Sequence, residues 1–149
     1  MGRTGFAKYA ATSTKTEGLS AKAQSLLAGQ TVRLVRYEEL PVEYQQAVSV
    51  YFDPEEVGIP EHWVFGTATL PMDKLTQSVL TNPDMVEGGF TTFDEYHNWY
   101  VRREMPSHSD VWPVVLDTVG DETLEDGWHR LHDYYRQGLQ EVPVVWLTE

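Results

Sequence analysis

The most constraining feature of this chain is its last 39 residues. They contain two apolar, β-branched runs, VWPVVLD (111–117) and VPVVWL (142–147), with a glycine-bracketed helical segment, WHRLHDYYRQ (128–137), between them. Gly127 precedes that segment and Gly138 follows it. Strand, turn, short strand (TLED, 123–126), helix and closing strand follow one another within a span too short for separate units. Trp128, Leu131, Tyr135 and Leu139 fall on one side of the helix, which gives it a face to bury against a sheet. The order predicts a mixed α/β layer of the α+β class, a small sheet flanked by helices.

The rest of the chain predicts more of the same. Residues 1–18 read as extended. Residues 19–29 read as a short helix with Leu19, Ala23, Leu26 and Leu27 inward and Gly29 as its cap. TVRLVR (31–36) alternates as a half-buried strand, and 40–52 carries Leu40, Tyr44, Ala47, Val48 and Tyr51 at helical spacing after Pro41. DPEEVGIPEH (53–62) is a loop and the expected boundary between an N-terminal extension (1–62) and the main domain (63–149). Residues 63–70 predict a strand, MDKL a turn or short helix, and NPDMVEGGF (82–90) a run of breakers. Thr92-Phe93-Asp94-Glu95 is a capping box opening a helix that Phe93, Tyr96, Tyr100 and Val101 line and Pro106 stops.

Charge and composition exclude several classes. The chain has 149 residues, 41% hydrophobic and 12% aromatic, too many aromatics for an acidic disordered chain. No apolar run approaches membrane-spanning length, and the N-terminus lacks the apolar core of a signal peptide. Phe6 stands where a myristoylation signal needs Ser or Thr. There is no cysteine, which removes disulfides, thiolate metal sites and thiol catalysis and fits the cytoplasm. The net charge is −12, divided unevenly: +5 over residues 1–36 and −17 over 37–149. That acidic body disfavours duplex DNA binding, while the basic start is either a solvated strap or a contact for a polyanion.

The chemistry-bearing cluster is Glu125-Asp126-Gly127-Trp128-His129-Arg130, at a strand-to-helix junction. The first amides of a helix are unpaired and lie at the positive end of its dipole. A glycine allows close backbone approach, and His129 and Arg130 add donors, so the turn suits a phosphate. Asp126 could hold a divalent cation or accept a hydroxyl proton. The alternative is plainer: Asp126 as helix cap and Arg130 paired with a nearby acid. Trp128 either packs in the core or stacks on a base. Thr92 could add a phosphate contact and Glu95 a second metal-binding carboxylate, unless both serve only the capping box. His129 and His132 share a helix face, too few ligands for zinc.

WPVVLDTVGDETLEDGWHRLHDYYRQGLQEVPVVWL resembles the core of the ParB/sulfiredoxin-like superfamily, with a looser match over 64–105. The resemblance implies nucleotide phosphate binding by Gly127, His129 and Arg130, with Asp126 in the family's acidic position. It implies a nucleoside triphosphate, ATP or CTP, with Mg²⁺, and hydrolysis or small-molecule phosphorylation using Asp126 and His129. Sulfiredoxin chemistry is excluded, because Trp128 stands where that enzyme has its cysteine. The arginine-rich box of partition proteins is missing; NPD (82–84) is a faint echo. A non-catalytic module of plasmid, phage or defence origin, meeting a protein partner through its acidic surface, is the second expectation. A ParB-like nuclease is the third.

Overall fold

The computed structural model describes residues 15–51, 62–104 and 112–148. All but His62 of the expected loop at 53–62, the stop at Pro106 and the start of the 111–117 strand lie outside these residues, as do Met1–Thr14. Helix α1 (Ala21–Leu27) is capped by Ser20, whose hydroxyl accepts from the Ala23 amide. Strand β1 (Arg33–Arg36) leads through a 3-10 turn (Tyr37–Glu39) into α2 (Val42–Ala47) and a second 3-10 turn (Val48–Tyr51). Strand β2 (Val64–Pro71) is followed by α3 (Met72–Val79), α4 (Pro83–Gly88) and α5 (Phe93–Glu104). The hairpin β3 (Val114–Leu116) and β4 (Leu124–Asp126), helix α6 (Trp128–Gln137) and β5 (Glu141–Leu147) complete the fold.

The five strands form one sheet in the order β1-β2-β5-β3-β4, antiparallel except for the β3–β5 pair. The class expected from the sequence, α+β, is the class observed. Strand alternation sends Leu70, Val114, Leu116, Val142, Val144 and Trp146 to one face, against α1, α3, α5 and α6. Phe65, Val115 and Val145 face the other way, under Leu40, Ala47 and Val48. Residues 15–51 are thus built into the same sheet and cores as the rest: β1 pairs with β2, and Leu26 and Leu27 join the larger core.

Three local expectations need correction. The helix expected over 40–52 is only six residues long, because Pro41 takes the cap position and the chain tightens at Val48. The breakers at 82–90 enclose α4, with Pro83 in its first turn and Gly89 at its end, the positions where those residues favour a helix. Strand β1 is an edge strand more exposed than its alternation suggests, with Leu34 41% accessible.

Candidate functional site

Strand β4 delivers the chain to Gly127, whose φ of +99° turns it directly into α6. A side chain there would meet the Arg130 guanidinium and Val114, each about 3.0 Å from the added carbon, so the glycine serves both conformation and space. No side chain caps α6, and Asp126 is not its cap; Gly127 occupies that position. The first turn of α6 therefore begins at the positive end of the helix with no side-chain cap among the described residues.

Arg130 folds back over this turn. Its side chain is 15% accessible, with Nη2 3.8 Å from Oδ2 of the more exposed Asp126. The guanidinium lies 5.9 Å from the Trp112 ring centre. Among the described residues, neither Nε nor Nη2 finds a hydrogen-bond acceptor although both atoms are buried. A guanidinium withdrawn from water with unmatched N–H groups is costly, and an incoming oxyanion would relieve that cost. The plainer alternative is met in part: Arg130 does lie beside an acid, but at ion-pair rather than hydrogen-bond distance.

His129 is exposed, and its Nδ1 lies 2.7 Å from the Tyr100 hydroxyl. Tyr100 is held in turn by stacking on His132, centres 3.8 Å apart and planes 10° from parallel. Trp128 is half-buried and packs against the larger core. The structure thus brings Asp126, Gly127, Trp128, His129 and Arg130 together, with Trp128 serving the core.

Thr92 and Glu95 are not brought to them. Helices α5 and α6 run antiparallel: Phe93 meets Tyr135, His97 meets His132, and Tyr100 meets His129. The start of α5 therefore lies beside the end of α6, roughly 10 Å of helix rise away from the Gly127 turn. There the capping box is complete. The Thr92 hydroxyl accepts from the Glu95 amide at 3.2 Å, and Glu95 Oε1 accepts from both amides of Thr91 and Thr92 and from the Thr91 hydroxyl. The Thr91 hydroxyl, followed by those amides, holds the Glu95 carboxyl below its ordinary range. The expected metal pair of Asp126 and Glu95 and the phosphate contact from Thr92 are accordingly replaced by helix capping. Thr92→Ala is expected to cost about 1 kcal/mol in urea unfolding, as lost caps do.

The sequence reading missed a buried pair, His97 and His132. Their Nδ1 atoms are 2.9 Å apart, and His132 is wholly inaccessible with its Nε2 unpartnered among the described residues. A cue was present: His97 lies four residues after Phe93 and three before Tyr100, on the face that the helix buries. Burial, then the neighbouring His97 and His129, push His132 down to about 3. His97 is also lowered, by burial first; Asp94 opposes the shift and Arg136 adds to it.

Among the described residues no three histidine, aspartate or glutamate side chains converge to hold a metal. None of the described clefts is lined by residues 126–130. Among the described residues no helix is long and apolar enough to cross a membrane. No family model, no curated protein and no solved structure matches the chain.

Proposed function

We propose that the chain is a nucleotide phosphate-binding protein of the ParB/sulfiredoxin-like kind, gripping a terminal phosphate at the turn Asp126–Arg130. The observation that carries this reading is the Arg130 guanidinium, buried with its Nε and Nη2 nitrogens lacking acceptors among the described residues, beside a helix start that no described side chain caps. The strand–hairpin–glycine–helix–strand order over 114–147 supports it as well. In this reading the α6 amides and Arg130 take phosphate oxygens, and the hydrogen bond to Tyr100 orients the His129 ring at the rim. Asp126 is a single exposed carboxylate, which fits Mg²⁺ only when phosphate oxygens complete the shell. Bound Mg²⁺ would neutralise charge on the phosphates and polarise the one transferred. Asp126 would then anchor the ion, and Arg130 would stabilise the transferring group.

The test is a thermal-shift and calorimetric panel of ATP, CTP and pyrophosphate, with and without Mg²⁺. A ligand at 100 times its dissociation constant adds about 2.7 kcal/mol of apparent stability. Arg130→Gln is expected to weaken binding at least tenfold, while Thr92→Ala leaves it unchanged. Stabilisation by none of these ligands, or equal binding by Arg130→Gln, would overturn the reading. The −17 charge of residues 37–149 favours a second reading, an acidic module for a basic protein partner. Salt-sensitive retention of a partner by a chain that ignores nucleotide would select it.

A further inference from the structure

The largest described cleft, about 920 Å³, is independent of the Gly127 turn and has a chemistry of its own. It opens between the end of β2, the first turn of α3, the end of α6 and the start of β5. Its volume falls in the range of small-ligand sites. Met72, Leu139 and Tyr135 give it apolar lining, and the exposed residues Asp73 and Glu141 line it as well. The walls are tied together: the Met72 amide donates to the Gln140 carbonyl at 2.7 Å, and Pro71 is the β-register partner of Glu141. The cleft is therefore formed before any ligand arrives.

Its charge is one-sided. No lysine or arginine lines it, and neither Asp73 nor Glu141 has a side-chain hydrogen bond or ion pair among the described residues. The Tyr135 hydroxyl donates to Asp94 at 3.1 Å, which fixes the ring and brings a third carboxylate close to the cleft. Two carboxylates beside apolar lining, in a cleft that no lysine or arginine lines, match a molecule with positive ends and a hydrocarbon middle, although Glu141 also lines the adjoining cleft that Arg33 borders. A metal ion would make no use of the apolar lining, and an anion would be repelled.

From this complementarity we infer that the cleft binds a linear polyamine. One ammonium group sits at Asp73 and the other at Glu141, and the methylene chain lies over Met72 and Leu139. The Tyr135 ring offers its face to a cationic end. The acidic body raises the local concentration of such cations and speeds their arrival.

Spermidine and 1,6-diaminohexane titrated calorimetrically into the full chain test this, with n-butylamine as the single-ended comparison. The expected result is saturable one-to-one binding of both polycations, at least tenfold tighter than n-butylamine. Asp73→Asn combined with Glu141→Gln is expected to weaken spermidine at least tenfold. Glu43→Gln combined with Glu87→Gln removes the same charge elsewhere and is expected to change it less than twofold. Equal losses in the two double variants would reduce the effect to bulk charge attraction and overturn the inference. So would non-saturable binding, parity with n-butylamine, or tighter binding of a lysine-rich peptide than of spermidine. Arg130→Gln is expected to leave spermidine binding intact, so this result and the phosphate result fail separately.

Discussion

Gly66→Ala is expected to be the most damaging single methyl group that can be added to this chain. Gly66 lies in β2 with hydrogen-bonded neighbours on both sides, Leu34 of β1 and Trp146 of β5 in direct register. A Cβ at position 66 would fall inside the indole of Trp146, against Cε2, Cζ2 and Nε1. The ring has nowhere to withdraw, because Trp146 is completely buried in the core with Leu70, Val144 and Leu131. Added atoms in a packed core cost about 1–3 kcal/mol when neighbours can yield. Here the obstacle is a rigid bicycle held on every side, so the expected loss is about 3 kcal/mol or more, read as a lower urea midpoint. The Trp146 Nε1 has no hydrogen-bond partner among the described residues, so shortening this side chain forfeits none of those bonds. Trp146→Leu is therefore expected to be at least about 1 kcal/mol less costly in the Gly66→Ala background than alone. Strict additivity of the two substitutions would show that the collision is not what destabilises the first.

The same contact shows where sequence reading stops. Gly66 reads as an unremarkable residue in an apolar run, and only the β2–β5 register reveals that it makes room for Trp146. Features whose members are close in the chain were readable. The Thr92–Glu95 capping box and the glycine-bracketed α6 involve partners three or four residues apart. The proximity of Gly127 and Arg130 is of this kind too, since both lie on one helix turn. Punctuation was ambiguous where one residue type has two uses: Pro83 and Gly89 break a strand pattern but start and finish α4. Tertiary pairings were not readable. Whether the start of α5 meets the start or the end of α6 is decided by the packing of Phe93, His97 and Tyr100, and it removes Thr92 and Glu95 from the site. The His97–His132 bond joins residues 35 apart, so no local spacing encodes it.

That histidine pair leads to the second large effect, a marked loss of stability in mild acid. Burial lowers both rings, which favours their neutral forms, and the pair, with Nδ1 atoms 2.9 Å apart, is surrounded by Phe93, Tyr96, Tyr100 and Tyr135. Protonating His132, down at about 3 when folded, puts a charge on a wholly inaccessible ring beside two other histidines. Unfolded, each histidine takes up a proton near its ordinary value of about 6.5. The sign follows: below about pH 6.5 the unfolded chain binds more protons than the folded one, so stability falls as pH falls. Each histidine contributes up to about 1.4 kcal/mol per pH unit until the pH reaches its folded value. For His132 the window runs from about pH 6.5 to about 3, and His97 shares its upper part. Glu95, lowered by its hydrogen bonds, adds a loss in the same direction only near and below the carboxylate range, whereas Glu122, raised chiefly by burial, opposes the loss, so a steep fall from pH 6.5 to 5 belongs to the histidines. Urea unfolding across that interval is expected to show a steep slope in the parent chain. His97→Phe combined with His132→Phe is expected to flatten it, since the replacements keep the aromatic stack and remove both titrating rings. A double variant whose stability still falls as steeply over pH 6.5 to 5 would place the acid sensitivity elsewhere.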